Sequence, residues 1–336
     1  MVGSHAAVYY ARKKCKVIVL DNLMRSKLFG YSRKSVEYNW RYLKTFKNVE
    51  HVRSDIRNRY ILKKIFKEGI DLVIHAAAQP GVGFSINNPE EDYSINAYGT
   101  FNLLESMRLF SKKPGIFIYC STNKVYGENV SKIQLYERKK RYIFKGVKGV
   151  SETMGIDLTG HTPYGASKYT GDLYAQEHAH MYGIKTGVFR MSCIYGTRQF
   201  GFEDQGWIAH FIISNLKDKP VTIFGNGKQV RDVLYVEDLI KAFHAFAKSE
   251  LKSGVFNIGG GPNNTISLLE FIDIVEKKTG KPMDLNFGEW RPSDQKVYIS
   301  DVSKVTKALK WHTKISVKEG VDKLIKWTRD NLHFFN

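Results

Sequence analysis

The chain has 336 residues, 43% hydrophobic and 13% aromatic, ample core for two lobes at roughly 150 residues per domain. Lys and Arg number 52 against 33 Asp and Glu, a formal net charge of +19, but they are scattered and the densest run, 137–141, is short; this argues against a nucleic-acid partner and for a lysine-rich solvated surface, whose positive field would also steer an anionic ligand. No stretch reaches the ~18 apolar residues of a membrane helix, the start shows no signal-peptide pattern, and the three distant cysteines, Cys15, Cys120 and Cys193, form neither a disulfide framework nor a zinc site; buried, inert thiols in a reducing cytoplasm are expected.

In chain order, residues 4–14 read as a helix and 16–20 as a short apolar strand ending at Asp21. Further apolar runs lie at 49–52, 71–75 and 116–120, with amphipathic stretches at 61–66 and 97–109 between them. Apolar strands alternating with helices predict a parallel sheet covered on both faces, the doubly wound α/β (Rossmann) architecture that binds dinucleotides at the carboxyl ends of its strands. A long helix follows at 164–182 and another buried strand at 186–191; beyond Tyr195, glycines punctuate the chain and helices are predicted at 236–247, 267–278 and 317–331. The organisation expected is a dinucleotide-binding domain over 1–180 and, over 181–336, mainly a smaller interleaved α/β substrate lobe, some of whose segments return to the first sheet.

Asp21 stands at the end of its strand, where an acidic residue about 20 positions past the opening glycine of a dinucleotide turn accepts the adenosine ribose hydroxyls. A carboxylate there repels a phosphate, so NAD is favoured over NADP. Gly3 is too close to Asp21 to open the turn and matches its last glycine. The strand and glycines that should come first are expected upstream, in a frame extended by about ten residues, with a true truncation as the rival view. Asp55-Ile56 after the second strand would flank the adenine, and Ala76, Ala77, Ala78 and Gln79 after the third would let the cofactor approach closely.

The sharpest motif is Tyr164-Gly-Ala-Ser-Lys168, which puts a phenol and an ammonium on one helix face. A nearby cation lowers a tyrosine pKa, so Tyr164 could take a proton from a sugar hydroxyl as hydride leaves for the cofactor. Ser121-Thr122 closes the strand at 116–120, and a hydroxyl there can donate to the substrate oxygen. Asn96, opening the helix before that strand, could support the cofactor or a water. His178 and His180, two apart on a helix, point in different directions and are not metal ligands; no metal is expected.

The ordered set Asp21-Asn-Leu, Asp55-Ile56, Ala76 to Gln79, Asn96, Ser121-Thr122, Tyr164-x-x-x-Lys168, Arg190, Tyr195-Gly-x-Arg-Gln199 and Arg231-Asp-Val resembles the extended short-chain dehydrogenase/reductase family of sugar-nucleotide epimerases and dehydratases, over essentially the whole chain. The resemblance implies a tightly held NAD and a transiently oxidised sugar. It implies Tyr164 as base, Lys168 as its partner, Thr122 as hydroxyl donor, and Asn22 and Ser192 among the residues lining NAD. Segments 120–127, 198–200, 204–207, 225–232 and 293–295 are similar to a subgroup that inverts carbon 2 of a CDP-sugar, which adds Asn123, Arg198 and Gln205 to the substrate contacts. The family's usual Asn before a Tyr-Gly pair is Cys193 here, as a small residue is in that subgroup. A homodimer through the helices at 97–109 and 164–182 is also implied.

Arg231 and Arg291 are candidates to grip the diphosphate, since guanidinium forks match phosphate oxygens. A dehydratase needs an acid and a base after the Thr, where this chain has Asn123 and Lys124. A UDP-sugar 4-epimerase and a catalytically inactive NAD-binding regulator remain open.

Overall fold

The computed structural model describes residues 1–29, 33–291 and 293–335. The elements begin with α1 (Val2–Arg12), β1 (Val17–Asp21), α2 (Arg25–Phe29), α3 (Arg33–Leu43), β2 (Val49–Arg53), α4 (Arg59–Lys67) and β3 (Leu72–His75). They continue with α5 (Val82–Asn87), α6 (Pro89–Tyr93), a π turn (Ser94–Tyr98), α7 (Gly99–Phe110), β4 (Ile116–Thr122) and a 3₁₀ segment (Asn123–Lys132). Then come β5 (Leu135–Glu137), β6 (Tyr142–Phe144), α8 (Thr162–Tyr182), β7 (Thr186–Met191), β8 (Cys193–Tyr195), α9 (Trp207–Leu216), β9 (Val221–Phe224), β10 (Val230–Tyr235) and α10 (Val236–Lys248). The chain closes through β11 (Ser253–Ile258), β12 (Thr265–Ser267), α11 (Leu268–Thr279), β13 (Leu285–Gly288), β14 (Val297–Tyr298), α12 (Ser303–Leu309) and α13 (Val317–Asp330).

Two compact units emerge, one from Met1–Thr122, Pro163–Phe189 and Ile240–Val255, the other from Asn123–Thr162, Arg190–Leu239 and Phe256–Asn336. In the first, the apolar runs form parallel strands as their composition predicts. The pairing comes in two pieces: β1 with β2, in register from Val17↔Val49 to Asp21↔Arg53, and a sheet ordered β11-β7-β4-β3. α1 spans them, packing Ala7 and Val8 with Val17 and Val19 of β1 while its Gly3 lies against Ala76 after β3.

Side chains alternate across a strand, and β7 shows what that does. Val188 joins Leu62 and Phe66 of α4, Leu104 and Met107 of α7, Ala175 of α8, and Phe117 and Tyr119 of β4. Its neighbour Phe189 points the other way, 4.9 Å from the ring of Phe243 on α10. Helices therefore cover both faces, the doubly wound arrangement expected.

The second unit holds its own core, in which Ile212 of α9, Val233 and Tyr235 of β10, Phe271 of α11 and Leu324 of α13 are buried together. β10 lies between antiparallel β12 and parallel β14 and also pairs with β8. The basic run at 137–141 is the turn of the β5–β6 hairpin.

The cysteine expectation is corrected at Cys193, which is only half-buried, and at Cys15. Cys120 is buried, and burial pushes its thiol up to about 12, but Cys15 is exposed. It follows the end of α1 and a left-handed Lys14, in a turn that leaves the helix face its apolar neighbours suggested. Among the described residues no helix is long and apolar enough to cross a membrane, and no His, Cys, Asp or Glu cluster could hold a metal.

Candidate active site

α8 brings one row of side chains against β4. Tyr164, Ser167, Lys168, Gly171 and Asp172 fall at helical spacing, so they share one face. Gly171 lets that face approach: a Cβ there would sit 2.4 Å from the Tyr119 hydroxyl. The Tyr119 hydroxyl donates to the Lys168 carbonyl at 3.0 Å, and Ser121 Oγ donates to Asp172 at 2.7 Å. Thr122, which ends β4 rather than following it, hydrogen-bonds the Tyr164 hydroxyl. The predicted Thr–Tyr pair is thus assembled inside the first unit.

Lys168 behaves differently from the simple expectation. Its ammonium sits 4.3 Å from the centroid of the Tyr119 ring. Burial pushes the Tyr164 phenol up to about 12, against the pull of its Thr122 bond and with further upward pushes from Asp92 and Cys120. Burial also draws Lys168 down to about 8, opposed by Cys120, Asp172 and Asp92. For both groups desolvation sets the direction of the shift.

The loop after β3 is fixed by a network that the sequence reading missed in part. Asn96 lies in the π turn, a local insertion that recurs at functional sites. Its Oδ1 accepts from the Gln79 backbone N–H at 2.9 Å, and its Nδ2 donates to Gln79 O at 3.0 Å, to Asp92 at 3.0 Å and to Ser167 Oγ at 3.1 Å. Asn96 therefore positions the Ala76–Gln79 loop and α8. The signal for Asp92 was its place four residues before Asn96, and for Ser167 its place beside Lys168.

The residues expected to hold NAD fit such a group where strand ends converge. Asp21 accepts the Leu23 N–H on Oδ1 at 2.8 Å, and its second oxygen suits a ribose hydroxyl better than a phosphate. Asn22 Nδ2 donates to Asp55 at 2.7 Å, and Asp55 is held by Arg57 at 2.9 Å. Burial would raise the Asp55 carboxyl, but the Arg57 bonds outweigh it and hold it low. Gly3 brings the start of α1 to Ala76, with space for a Cβ at 3.5 Å; a helix start of this kind suits a phosphate group. Ile56 is buried beside Gly99.

Ser192 lies in the second unit, where its hydroxyl donates to the buried carboxylate of Asp232 at 2.5 Å. Arg231 in the same unit donates to Asp294 at 2.7 Å. Arg291 pairs with Glu203 at 3.0 Å and Asp204 at 3.1 Å and stacks 3.7 Å from the Phe224 ring centroid. Both guanidiniums are ion-paired within this unit. Asn123 opens the 3₁₀ segment, Arg198 has a left-handed φ of 58°, and Gln205 closes a bridge with Phe202. Lys124 faces Arg231, Asp294 and Cys193, and burial draws its ammonium down to about 8.

The chain is 40% identical to the CDP-paratose 2-epimerase of Salmonella typhi, over 97% of this chain and 96% of that one. It is 33% identical to the UDP-glucuronate 4-epimerase of Thermodesulfobacterium geofontis, over 86% and 82%. The UDP-glucose 4-epimerase of Thermotoga maritima, solved with UDP-glucose, superposes with a TM-score of 0.81 at 28% identity, covering 99% and 96%. The UDP-glucuronic acid 4-epimerase of Bacillus cereus, solved with UDP-glucuronic acid and NAD, gives 0.82 at 27%, covering 98% and 96%. The NAD dependent epimerase/dehydratase family profile matches residues 1–259, and the chain belongs to that family.

Proposed function

We propose that this chain epimerises a nucleotide sugar at carbon 2, converting CDP-paratose to CDP-tyvelose through a transient 2-keto sugar. The observation that carries the reading is the Thr122–Tyr164 hydrogen bond at the end of β4, in a chain similar along its whole length to a CDP-paratose 2-epimerase. NAD supplies, when bound, the acceptor and donor of hydride. Thr122 orients the sugar hydroxyl toward Tyr164, and Tyr164 takes its proton and later returns one. Lys168, one turn along α8, lends the positive charge that opposes the desolvation raising the Tyr164 phenol. Asn123 and Lys124, where a dehydratase needs carboxylic acid chemistry, favour epimerisation over dehydration. Asp21, Asn22, Asp55, Ile56, the Ala76–Gln79 loop and Asn96 form the NAD-binding set. Arg231 and Arg291 exchange their carboxylate partners for the substrate diphosphate, with Arg198 and Gln205 as further contacts. The UDP-sugar relatives keep a 4-epimerase as the second reading.

The outward faces of α7 and α8 expose Leu109, Leu173, Tyr174, Met181 and Tyr182, and this apolar row supports a homodimer packed through those helices. The free Cys120 and Cys193 fit a cytoplasmic setting.

The test is isotopic. CDP-paratose deuterated at carbon 2 should give CDP-tyvelose that keeps its deuterium, because hydride leaves and returns without exchange. Washout to solvent would show proton abstraction without redox. Inversion of a UDP-sugar at carbon 4, with no turnover of the CDP-sugar, would transfer the assignment to the second reading.

A further inference from the structure

Asp92 on α6 has no solvent exposure. It accepts hydrogen bonds from Gln79 Nε2 at 2.6 Å, Asn96 Nδ2 at 3.0 Å and Ser167 Oγ at 2.5 Å, all neutral donors. A buried carboxylate held by neutral donors is costly to keep ionised, so packing alone would be served better by an amide. The charge is what needs explaining. Ser167 sits between Tyr164 and Lys168, and its oxygen also lies 3.1 Å from the Tyr164 carbonyl. The carboxylate is thereby tied to the turn of α8 that carries both groups.

The surroundings of the pair can be named element by element. Lys168 faces Asp92 on α6, Asp172 on its own helix, Cys120 and the Tyr119 ring on β4, and His75 on β3. Tyr164 faces Thr122 and Cys120 on β4, with Tyr119, and again Asp92. His75 is kept neutral by burial. Asp172 and Asp92 are therefore the two carboxylates around Lys168, and each is held by neutral donors, Asp172 by Ser121 Oγ at 2.7 Å and Gln176 Nε2 at 2.6 Å.

We propose that Asp92 is a positioning residue whose buried negative charge keeps Lys168 protonated and delays ionisation of Tyr164 until cofactor and substrate are in place. The proposal rests on the reading of Tyr164 and Lys168 as the proton-transferring pair. A carboxylate favours an ammonium and disfavours a second anion, so one charge acts on both groups in the same direction along the pH axis. Ser167 transmits geometry and Asp92 supplies the field, two roles that substitutions separate.

Asp92→Asn is the informative variant because the site accepts an amide. Its Oδ1 can still take Gln79 and Asn96, and its Nδ2 can donate to Ser167, whose own proton then serves the Tyr164 carbonyl. In the unliganded protein, competitive amine labelling read by mass spectrometry gives the titration midpoint of Lys168, about 8 in the wild type. Asp92→Asn should lower it, because one of the two carboxylates that favour the ammonium loses its charge. In the holoenzyme mixed with CDP-paratose, the acid limb of the rate of NAD reduction should move down by a similar amount. Ser167→Ala, which keeps the charge, should slow that rate with the limb in place. A Lys168 midpoint unchanged in Asp92→Asn, or a lower rate with an unmoved limb, overturns the proposal in favour of a purely structural role. Should Asp92→Asn not fold by circular dichroism, Asp92→Ser removes the same charge and takes its place. If the wild type does not turn over the CDP-sugar, the functional reading fails while the labelling result still decides Asp92.

Discussion

Replacing Gly171 by alanine tests whether α8 depends on close approach to β4. The new methyl carbon would stand 2.4 Å from the Tyr119 hydroxyl oxygen and 2.8 Å from its ring carbon Cζ, distances at which something must move. Tyr119 is fully buried, so its ring has nowhere to go without displacing the core formed with α4 and α7. Overpacking of this kind costs about 1–3 kcal/mol. Alanine recovers about 1 kcal/mol of helix propensity relative to glycine, and the lost Tyr119–Lys168 hydrogen bond adds about 1 kcal/mol to the cost. The net expectation is a loss of about 2 kcal/mol, read as a drop of roughly 3 °C in the thermal midpoint of a chain this long. Function should fall as well, because the ring that moves is the one beneath the Lys168 ammonium. Thermal denaturation of Gly171→Ala, Tyr119→Phe and the double variant is the assay. The double variant should recover part of the loss, since removing the hydroxyl removes the nearest clash. A Gly171→Ala protein as stable as the wild type, or no coupling between the two changes, would refute the reasoning.

Three further outcomes follow. Tyr164→Phe removes only the titrating oxygen and should lower turnover by roughly 10²–10⁴-fold with fold and bound NAD retained; activity within tenfold of the wild type would sink the assignment. His75 is held neutral, its pKa drawn down to about 3 by burial and then by Lys168, and its Nε2–H serves Thr100 Oγ1, whose proton goes to the Asn96 carbonyl. The unfolded chain takes up a proton near pH 6.5 and the folded chain does not, so this residue removes stability as pH falls from about 6.5 to about 3, by up to about 1.4 kcal/mol per pH unit; urea titrations across that window should show a shallower acid loss for His75→Gln. Met181→Glu, which puts a charge on the exposed row of α8, should shift the proposed homodimer toward monomer in sedimentation, and an unchanged mass would remove that face from the proposed interface.

What the sequence disclosed is what a short apolar run or a helical repeat encodes. β4 and β7 lie where their runs stand, and Thr122, Tyr164 and Lys168 come together because a strand's carboxyl end and one face of a helix are both readable from spacing. Polar residues with partners far along the chain were the difficulty. Asp92 and Ser167 would pass for a solvated helix face, and Asn96 reads as support for the cofactor or a water, yet the three are buried together, Asn96 and Ser167 being joined across 71 positions. Ser192 gave no hint of Asp232, 40 positions away. Nor could spacing foresee that Lys168 would face the Tyr119 ring, because i and i+4 fix a shared face and not what lies opposite it.

The π turn explains why the network resisted reading and why it matters. In a regular helix Asp92 and Asn96 would be neighbours on one face and no more. The turn at Ser94–Tyr98 widens the helix between α6 and α7, and in this setting the Asn96 amide reaches the Gln79 backbone on one side and Ser167 on the other. One side chain thereby couples the loop proposed to face the cofactor to the helix proposed to carry the base. Its amide must meet two backbone groups, a carboxylate and a hydroxyl at once, a demand on geometry that an ordinary α-helical repeat does not announce. Substitution at Asn96 should therefore disturb both ends of the site together, whereas substitution at Ser167 should disturb the helix alone.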